Sequence, residues 1–246
     1  MVEYDIKAVI IFPCFNEEDR INKVMLLEFI QNNLYSYIFV NDGSTDGTLE
    51  ILNELKKESS RINVIDLDQN TGKANAIQQG MMFAIKQLDS ELYGFWDVDL
   101  STPLPEIEHL LEEYSRTKAM ILTGCRVKRL GAKIERSGVR HFLGRSFATI
   151  VSILFDISTY DTQCGAKLFH NSIVDNLFRD GFESNWIFDV ELFLRMKAIH
   201  PADINELCIE VPLYEWQEIK GSKLKFSDFL KVPIELYRLV RKYLWI

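Results

Sequence analysis

Residues 37–58 read YIFVNDGSTDGTLEILNELKKE, and this stretch determines the fold class that the sequence predicts. The apolar run YIFVN at 37–41 is typical of a buried β-strand, and TLEILNELKKE at 48–58 has the apolar spacing of a helix. Between them, Asp42 and Gly43 begin a turn, for which glycine supplies the backbone freedom. The stretch therefore predicts a strand that leads directly into a helix, which is the repeating unit of an α/β fold.

The same unit repeats on both sides of this stretch through the first half of the chain. The predicted strands are 8–12, 37–41, 63–67, 92–99 and 119–124, and the predicted helices are 20–31, 48–58, 73–88 and 103–116. Strands and helices that alternate in this way form a mostly parallel central sheet with helices on both faces. Ligands of such sheets bind at the carboxyl ends of the strands.

The second half of the chain is less regular. Its predicted elements are a helix at about 135–156, a strand at 162–169, helices at 173–178 and 188–199, an extended segment at 204–217 and an amphipathic helix at 228–246. The sequence shows neither an internal repeat nor a long linker. We therefore predict a single domain of residues 1–246, with a nucleotide-binding half at 1–126 and a more elaborate half at 127–246.

The composition excludes several functional classes. The 246 residues carry a formal net charge of -8, which argues against a nucleic-acid partner because nucleic acids need a basic surface. The four cysteines show no Cys-x-x-Cys spacing, so neither a zinc site nor a disulfide framework is expected. No signal peptide is evident, and the uncharged apolar stretches are far shorter than the ~20 residues of a membrane span. We therefore expect a cytoplasmic protein that does not cross a membrane.

Two aspartates, Asp97 and Asp99, follow the apolar run at 92–96. In a strand, alternate side chains face the same way, so the two carboxylates are expected to lie side by side. Such a pair repels unless a cation lies between its members. Magnesium is commonly held by one or two carboxylates together with substrate phosphates. We therefore predict that Asp97 and Asp99 bind Mg²⁺ or Mn²⁺.

Three other loops are expected at the same edge of the sheet. The first lacks the GxGxxG pattern, which argues against a dinucleotide site, and the GK[ST] pattern, which excludes a P-loop. Its Asn16 and Glu17 could hold a ribose or base. Alternatively, Asn16 caps a helix and Glu17 complements the helix dipole. Asp42 could accept a hydrogen bond from a base N–H. Lys73, after Gly72, opposes the dipole of the helix that it begins unless an anion such as a diphosphate binds there.

These motifs, in this order, resemble a family 2 glycosyltransferase of the GT-A fold. The segments that carry the resemblance are FPCFNEE (12–18), VNDGSTDGT (40–48), NTGKANAI (70–77) and DVD (97–99). Three later segments are similar to the dolichyl-phosphate β-glucosyltransferase branch, which is related to the dolichol-phosphate mannose synthases: DTQCGAKLF (161–169), WIFDVELF (186–193) and WQEIKGSKL (216–224). The branch usually has phenylalanine where Ala166 stands and a small residue where Leu100 stands.

The resemblance implies an inverting, metal-dependent transferase that moves a hexose, with UDP-glucose as the favoured donor, onto dolichyl or undecaprenyl phosphate. The donor-binding residues that it implies are Pro13, Asn16, Glu17, Asp42, Gly43, Lys73 and Asp97. Arg126 matches the basic residue that follows the fifth strand in these enzymes, and residues 127–246 become an acceptor-binding half.

A polyprenyl phosphate acceptor needs no strong general base, because a phosphomonoester with a second pKa near ~6 is already largely ionised. The enzyme needs cations that bring two anionic substrates together. We assign the acceptor phosphate to Arg126, Arg136 and Arg140, and we expect Asp161 and Asp189 to orient these arginines or the acceptor loop. The predicted catalytic residues are Asp97, Asp99, Arg126 and Asp189.

Three alternatives remain open. The donor could be GDP-mannose, as in the mannosyl relatives. The acceptor could be a saccharide hydroxyl, which needs a base such as Asp189 or Glu191. The chain could also be an inactive subunit that binds sugar nucleotides. Cys164 has no histidine nearby in sequence, so we expect it to be a buried structural residue.

Two apolar surfaces suggest peripheral binding to the inner face of a membrane. Helix 228–246 carries an apolar stripe with basic residues beside it and Trp245 near its end, as is typical of an interfacial helix. The stripe consists of Leu230, Ile234, Tyr237, Val240 and Leu244. Segment 142–157 offers the second surface. The alternative is that the stripe packs on the core of the domain.

Overall fold

The computed structural model describes residues 6–201, 204–219 and 226–244. Its strands are β1 (Ala8–Cys14), β2 (Ser36–Asp42), β3 (Ile62–Leu67), β4 (Leu92–Trp96), β5 (Ile121–Cys125), β6 (Lys133–Glu135), β7 (Ala166–His170), β8 (Cys208–Pro212) and β9 (Glu215–Gln217). Its helices are α1 (Lys23–Gln31), α2 (Thr48–Glu58), α3 (Lys73–Gln87), α4 (Pro105–Thr117), α5 (Gly138–Phe155), α6 (Asn171–Phe178), α7 (Phe188–Ile199), α8 (Ile204–Leu207) and α9 (Phe226–Tyr243).

A seven-stranded sheet in the order β3-β2-β1-β4-β7-β5-β8 forms the centre of the molecule. Parallel pairing joins β1 to β2 and β4, β2 to β3, and β5 to β8. The exception is β7, which lies antiparallel between β4 and β5. The predicted α/β class with a mostly parallel sheet is therefore confirmed. Strands from both sides of residue 126 alternate within this sheet.

Both faces of the sheet are buried, as β1 illustrates. Ile10 and Phe12 point into one apolar cluster, where the Phe12 and Phe39 rings stack with centroids 4.9 Å apart. Val9 and Ile11 point into the other cluster on the opposite face. Because side chains alternate along a strand, only helices on both faces could bury such a continuous apolar run.

Several predicted boundaries differ from the structure. The strand predicted over 92–99 ends at Trp96, and the strand predicted over 162–169 begins only at Ala166. The preceding segment curls because the buried Lys167 ammonium binds the carbonyl oxygens of Thr162 and Cys164, at 3.1 and 2.7 Å. Such a side-chain contact leaves no trace in apolar periodicity.

Three predictions for the second half also need adjustment. The helix predicted from about residue 135 begins at Gly138, where the Ser137 hydroxyl caps it by accepting a bond from the Arg140 N–H. The segment 204–217, predicted as extended, begins with the short helix α8 before β8 and β9. Part of the motif at 216–224 and Trp245 lie outside the described residues.

A small second sheet stands beside the carboxyl edge of the main sheet. It pairs β6 with β9 in parallel and places Trp216 near the loop after β5. Within the described residues, no helix combines the length and the apolar character that crossing a membrane requires.

Candidate active site

The loop after β1 is fastened to the loop after β2. The Asn16 N–H donates to the Ser44 hydroxyl at 3.0 Å, and the Asn16 side-chain oxygen accepts from the Thr45 N–H at 2.8 Å. Asn16 has a positive φ of 51°, a region that asparagine tolerates better than most residues. The cap of α1 is Asn22, so the alternative that Asn16 caps this helix is wrong. Asn16 instead sets the shape of the loop.

The loop after β2 is held in turn against the loop after β3. The buried Asp42 carboxylate accepts hydrogen bonds from the Thr71 N–H, the Thr71 hydroxyl and the Gly72 N–H, each at 2.8 Å. Gly43 has φ +63°, and a Cβ there would lie 2.4 Å from the backbone carbon of Gln69. These contacts fix the start of α3. The hydrogen bond between Asp42 and a nucleotide base stays a prediction.

Lys73 is the first residue of α3, and its ammonium lies 2.5 Å from the Asp97 carboxylate. Burial on its own lowers the pKa of Lys73, but the carboxylates of Asp97 and Asp189 outweigh burial and raise the pKa above its ordinary value. Lys73 is therefore a firmly charged cation at the helix end, where an incoming diphosphate would meet it.

The two aspartates lie beyond the end of β4 at Trp96, where the chain turns with the Leu100 N–H bound to the Asp97 carbonyl oxygen, so strand alternation does not set their directions. Asp97 pairs with Lys73, whereas Asp99 accepts bonds from the Ser101 N–H and hydroxyl at 3.0 and 2.8 Å. Asp99 also pairs with Arg20 from the first loop. Each carboxylate thus has its own cationic partner, and these partners offset the electrostatic repulsion between the two carboxylates.

Arg20 and Lys167 are site residues that the sequence analysis missed. The Arg20 guanidinium lies between Asp99 and Glu17, with its Nε 3.2 Å from a Glu17 oxygen. The spacing of Glu17 and Arg20, three residues apart, was a weak signal for this contact. No such signal existed for Lys167, because a lysine within an apolar strand pattern does not reveal its partner.

Lys167 and Asp189 form a buried ion pair beneath the site. The fully buried Lys167 ammonium donates to Asp189 at 2.6 Å, near the start of α7. Burial raises the pKa of Asp189, and the nearby ammonium groups of Lys167 and Lys73 only partly oppose this. The ion-pair partner of Asp189 is Lys167, not an arginine, and the other half of the expectation, that Asp189 orients the acceptor loop, stays a prediction.

Glu191, the other candidate base, lies in the interior. Its side chain is 0 % exposed, and it binds the Arg195 guanidinium at 2.9 Å and the Tyr243 hydroxyl at 3.0 Å. Glu191 therefore joins α7 to α9, and it cannot reach an acceptor hydroxyl. Cys164 is buried as expected, and burial raises the pKa of its thiol to about 11, which leaves it protonated and unreactive at neutral pH.

Gly165 forms the support beneath Asp97. Its carbonyl oxygen accepts a hydrogen bond from the Asp97 N–H at 3.0 Å, and a Cβ at Gly165 would lie 1.9 Å from Asp97 Oδ2. The Asp97 carboxylate therefore occupies space that any side chain at Gly165 would fill. This close approach fixes the Asp97 carboxylate, whose oxygens are suitable ligands for a divalent metal ion, beyond the end of β4.

The oxygen ligands fit a magnesium or manganese ion that is completed by substrate. No group of three or more His, Cys, Asp or Glu side chains is arranged around a metal position in the described ranges. Asp97 and Asp99 by themselves match the pattern in which one or two carboxylates share Mg²⁺ with substrate phosphates and water. The two residues are suited to a metal that arrives with its diphosphate.

Beyond these aspartates lies the second charged group, centred on Arg126. Arg126 forms a two-pronged ion pair with Asp161, with Nε–Oδ2 at 2.6 Å and Nη2–Oδ1 at 2.7 Å, and its guanidinium lies 5.3 Å from the Trp216 ring centre. Burial on its own would raise the pKa of Asp161, but Arg126 and Arg136 hold that pKa well below its usual range. The expectation that Asp161 orients an arginine agrees with this geometry.

Arg136 is the available cation beside this pair. Burial lowers its pKa, and the guanidinium groups of Arg126 and Arg140 lower it further. Arg140 is already paired with Glu218 at 3.0 Å. Among the residues that the structure describes, the Arg136 guanidinium has neither an ion-pair nor a hydrogen-bond partner. A half-buried arginine of this kind is suited to an anion such as a phosphate.

The two predicted apolar surfaces differ in the structure. Helix α5 exposes an apolar stripe that consists of Val139, Phe142, Leu143, Ile150, Ile153 and Leu154. Helix α9 buries Leu239 completely and packs Leu236 and Val240 on the core, while Ile234 and Tyr237 are exposed. Of the stripe predicted for helix 228–246, Ile234, Tyr237 and Leu244 are exposed, so the alternative of packing on the core holds only for Val240 among its described members, and Leu230 lies where side chains are not described.

Comparison with known proteins agrees with these features. The family model of glycosyl transferase family 2 matches residues 9–178. A dolichyl-phosphate beta-glucosyltransferase of Trichomonas vaginalis is 30% identical over 247 residues, which cover 95% of this chain and 72% of that protein. The dolichyl-phosphate beta-glucosyltransferase of Homo sapiens is 30% identical over 254 residues, with 96% and 75% covered.

Among solved structures, the chain is similar to glucosyl-3-phosphoglycerate synthase from Mycobacterium tuberculosis. The crystal structure of that enzyme with Mn²⁺, UDP-glucose and phosphoglyceric acid superposes with a TM-score of 0.70 at 14% identity and covers 97% of this chain and 80% of the other. At that identity the likeness concerns the fold, which is the GT-A fold that the motifs implied. With a family match over more than half of its length, the chain belongs to glycosyl transferase family 2.

Proposed function

We propose that this chain transfers glucose from UDP-glucose onto a polyprenyl phosphate with inversion at the anomeric carbon. The observation that carries the proposal is the group of Arg126, Asp161 and Arg136, in which Arg126 lies close enough to Asp97 to interact with its charge and Arg136 is a half-buried cation beside the Arg126–Asp161 pair. The names of the 30% identical relatives support the same donor sugar and acceptor class.

The donor would bind across the first three loops. In this proposal Pro13, Asn16, Glu17, Asp42 and Gly43 shape the nucleoside site. Lys73, Asp97 and Asp99 would lie at the diphosphate. A bound Mg²⁺ or Mn²⁺ would offset the negative charge of the leaving diphosphate. Lys73 would offset the same negative charge, because its ammonium stays protonated beside Asp97.

The acceptor phosphate would bind to Arg136, to the free edge of the Arg126 guanidinium and to Arg140. Its oxygen attacks the anomeric carbon while the bond to the diphosphate oxygen breaks, and the electron pair of that bond leaves with UDP. An in-line displacement of this kind converts an α-linked donor into a β-linked product. No protein base is needed, because the acceptor phosphate arrives ionised. The role of the arginines is to hold two anions close together.

A saccharide hydroxyl acceptor is the second candidate, and one observation favours it. Asp189 has a raised pKa, as a general base requires, and its carboxylate lies close enough to Lys73 to help raise the pKa of that ammonium. The buried contact with Lys167 argues against free proton transfer. The test must therefore include both acceptors.

The test compares UDP-glucose with GDP-mannose in the presence of Mn²⁺, each with a short-chain polyprenyl phosphate or a saccharide acceptor. We expect turnover with UDP-glucose and the polyprenyl phosphate, and loss of turnover when EDTA removes the metal. Proton NMR of the product should show a β-linked glucosyl phosphate. Faster transfer from GDP-mannose would change the donor assignment, transfer to the saccharide would change the acceptor, and an α-linked product would exclude inversion.

We also propose that the exposed stripe of α5 docks the protein on the inner face of a membrane, next to the basic residues that begin this helix. Phe142 and Ile153 are 70% and 77% exposed, and Arg136 and Arg140 precede and begin the helix. Apolar side chains with flanking basic residues are typical of an interfacial helix. In this orientation the acceptor arginines would lie at the level of lipid phosphates.

A vesicle co-sedimentation experiment tests this proposal with a matched pair of double variants. Phe142→Ser with Ile153→Ser should weaken binding to anionic vesicles by at least about tenfold, because burying one large apolar side chain is worth ~1.5–3 kcal/mol. The control is Val24→Ser with Leu34→Ser, which removes two equally exposed apolar residues outside α5. Salt should weaken wild-type binding. Equal losses in both double variants would contradict a role specific to α5.

A further inference from the structure

Glu210, in the middle of strand β8, binds the segment that follows α5. Its carboxylate accepts hydrogen bonds from the Thr159 hydroxyl at 3.0 Å, the Tyr160 N–H at 2.7 Å and the Asp161 N–H at 2.6 Å. Three donors from three consecutive residues thus converge on one carboxylate. Hydrogen bonds from N–H groups to a charged carboxylate are among the stronger kinds. The backbone position of Asp161 is therefore set from β8.

The segment 159–161 also contacts α5 on its other side. The Arg145 guanidinium donates to the Tyr160 carbonyl oxygen at 2.8 Å and lies 3.5 Å from the centre of the Tyr160 ring. Tyr160 is thus held between Glu210 and α5. The segment connects the helix with the exposed apolar stripe to the arginine of the acceptor group.

Asp161 transmits this position to Arg126. Its N–H binds Glu210, while both of its carboxylate oxygens bind the Arg126 guanidinium at 2.6 and 2.7 Å. Because both prongs of Arg126 are engaged, a shift of the Asp161 backbone must move or tilt the guanidinium. The edge of the Arg126 guanidinium that does not face Asp161 is the part available to a phosphate. The direction in which this edge points therefore depends on Asp161.

The charge of Glu210 has no local compensation that would explain it as a structural salt bridge. Within the described ranges, no lysine or arginine lies at ion-pair distance from Glu210. A carboxylate next to another carboxylate, Asp161, is unfavourable unless hydrogen bonds satisfy it. The three donors from 159–161 do this, which ties the charge of Glu210 to the conformation of that segment.

We infer that Glu210 is a positioning residue that acts through Asp161 to direct Arg126 toward the acceptor phosphate. The inference rests on the proposed function, since it assigns Arg126 to the polyprenyl phosphate. Glu210 is not among the residues that we assign to either substrate, and within the described ranges no hydrogen bond or ion pair joins it to Lys73, Asp97 or Asp99. A change at Glu210 should therefore affect the two substrates unequally.

The experiment measures binding of UDP-glucose with Mn²⁺ and, separately, of a short-chain prenyl phosphate to the full chain by calorimetry. In Glu210→Gln an NH₂ group replaces one accepting oxygen, so at least one bond to 159–161 is lost. The Kd for the prenyl phosphate should rise at least about tenfold, the loss expected for a hydrogen bond to a charged group. The Kd for UDP-glucose should change less than about twofold, within ordinary surface effects.

The control is Glu91→Gln, which removes a carboxylate that accepts from the Tyr114 hydroxyl at 2.6 Å at the amino end of β4. Both Kd values should stay at the wild-type level. Thr159→Val is a milder second variant that removes only one bond to Glu210, and it should weaken prenyl phosphate binding selectively but less. This variant decides the matter if Glu210→Gln does not fold.

The outcomes distinguish the inference from the proposed function. If the wild-type chain binds UDP-glucose but no prenyl phosphate, the proposed function fails and takes the inference with it. If the wild-type chain binds both, and the variants bind both as well as the wild type or lose both equally, only the inference fails. Selective loss of prenyl phosphate binding supports it.

Discussion

A Gly165→Ala variant is expected to remain folded while it loses transfer activity by a factor of about 100 or more. The added Cβ would lie 1.9 Å from Asp97 Oδ2, so the carboxylate must move. Because Asp97 can rotate without shifting the backbone, the fold survives. A displacement of ~1 Å at a catalytic group costs on the order of 100-fold in rate. Steady-state kinetics with UDP-glucose and a manganese titration followed by thermal shift would measure both effects.

The matched control for this variant is Gly181→Ala. Nothing lies within 4 Å of a Cβ at Gly181, so the substitution should change neither activity nor the response to manganese. Wild-type kinetics in Gly165→Ala would show that the position of Asp97 is unimportant for transfer. A chain that no longer unfolds cooperatively would show instead that Gly165 is needed for the fold.

Asp161→Asn is expected to destabilise the protein by ~3–5 kcal/mol, the usual cost of removing one partner of a buried ion pair. The side chains of Arg126 and Asp161 are only 11% and 7% exposed, so the unpaired guanidinium stays away from water. The free energy of unfolding, measured in urea at neutral pH, gives the loss. Binding of the prenyl phosphate should weaken as well, because Arg126 is no longer held in one direction.

The double variant Arg126→Leu with Asp161→Asn separates stability from binding. Removing both charges should restore much of the stability but not the binding of the phosphate. The exposed pair Lys23–Glu54, at 2.6 Å, is the control, and its removal should have little effect on stability. If Asp161→Asn unfolds at the wild-type urea concentration, the ion pair does not support the fold.

The depressed pKa of Asp161 also gives this pair a pH dependence with a defined sign. A carboxyl group whose folded-state pKa lies below its unfolded value of ~4 stabilises the protein fully above that value. This contribution is lost as the pH falls through the lower folded-state pKa. Asp161→Asn should therefore differ most from the wild type at neutral pH and converge with it in acid.

The sequence was sufficient for those parts of the fold and site that depend on local patterns. Runs such as 8–12 and 37–41 identified β1 and β2, because apolar residues buried on both faces leave a continuous signal. The turn chemistry of Asp42 and Gly43 placed the second loop correctly at the carboxyl edge. These features need no knowledge of distant residues.

What the sequence could not supply depends on contacts between distant segments. The direction of β7 is set by its neighbours β4 and β5, and five residues carry no mark of parallel or antiparallel pairing. The pairing of Arg20 with Asp99 depends on a turn after Trp96. Apolar periodicity did not reveal this turn, and the predicted strand therefore ran on through residue 99. Lys167 is buried because Asp189, 22 residues later, meets it across the site.

The position of β7 has a consequence for how the chain is made in the cell. The four strands β3, β2, β1 and β4 can pair while the ribosome is still translating, because they are complete by residue 96. Both neighbours of β5, namely β7 and β8, are translated after it. At 5–20 residues per second, roughly 2 to 9 seconds separate the synthesis of Cys125 from that of His170. During this interval β4 and β5 present open edges to solvent, so the nascent chain should depend on chaperones most strongly between these two points of translation.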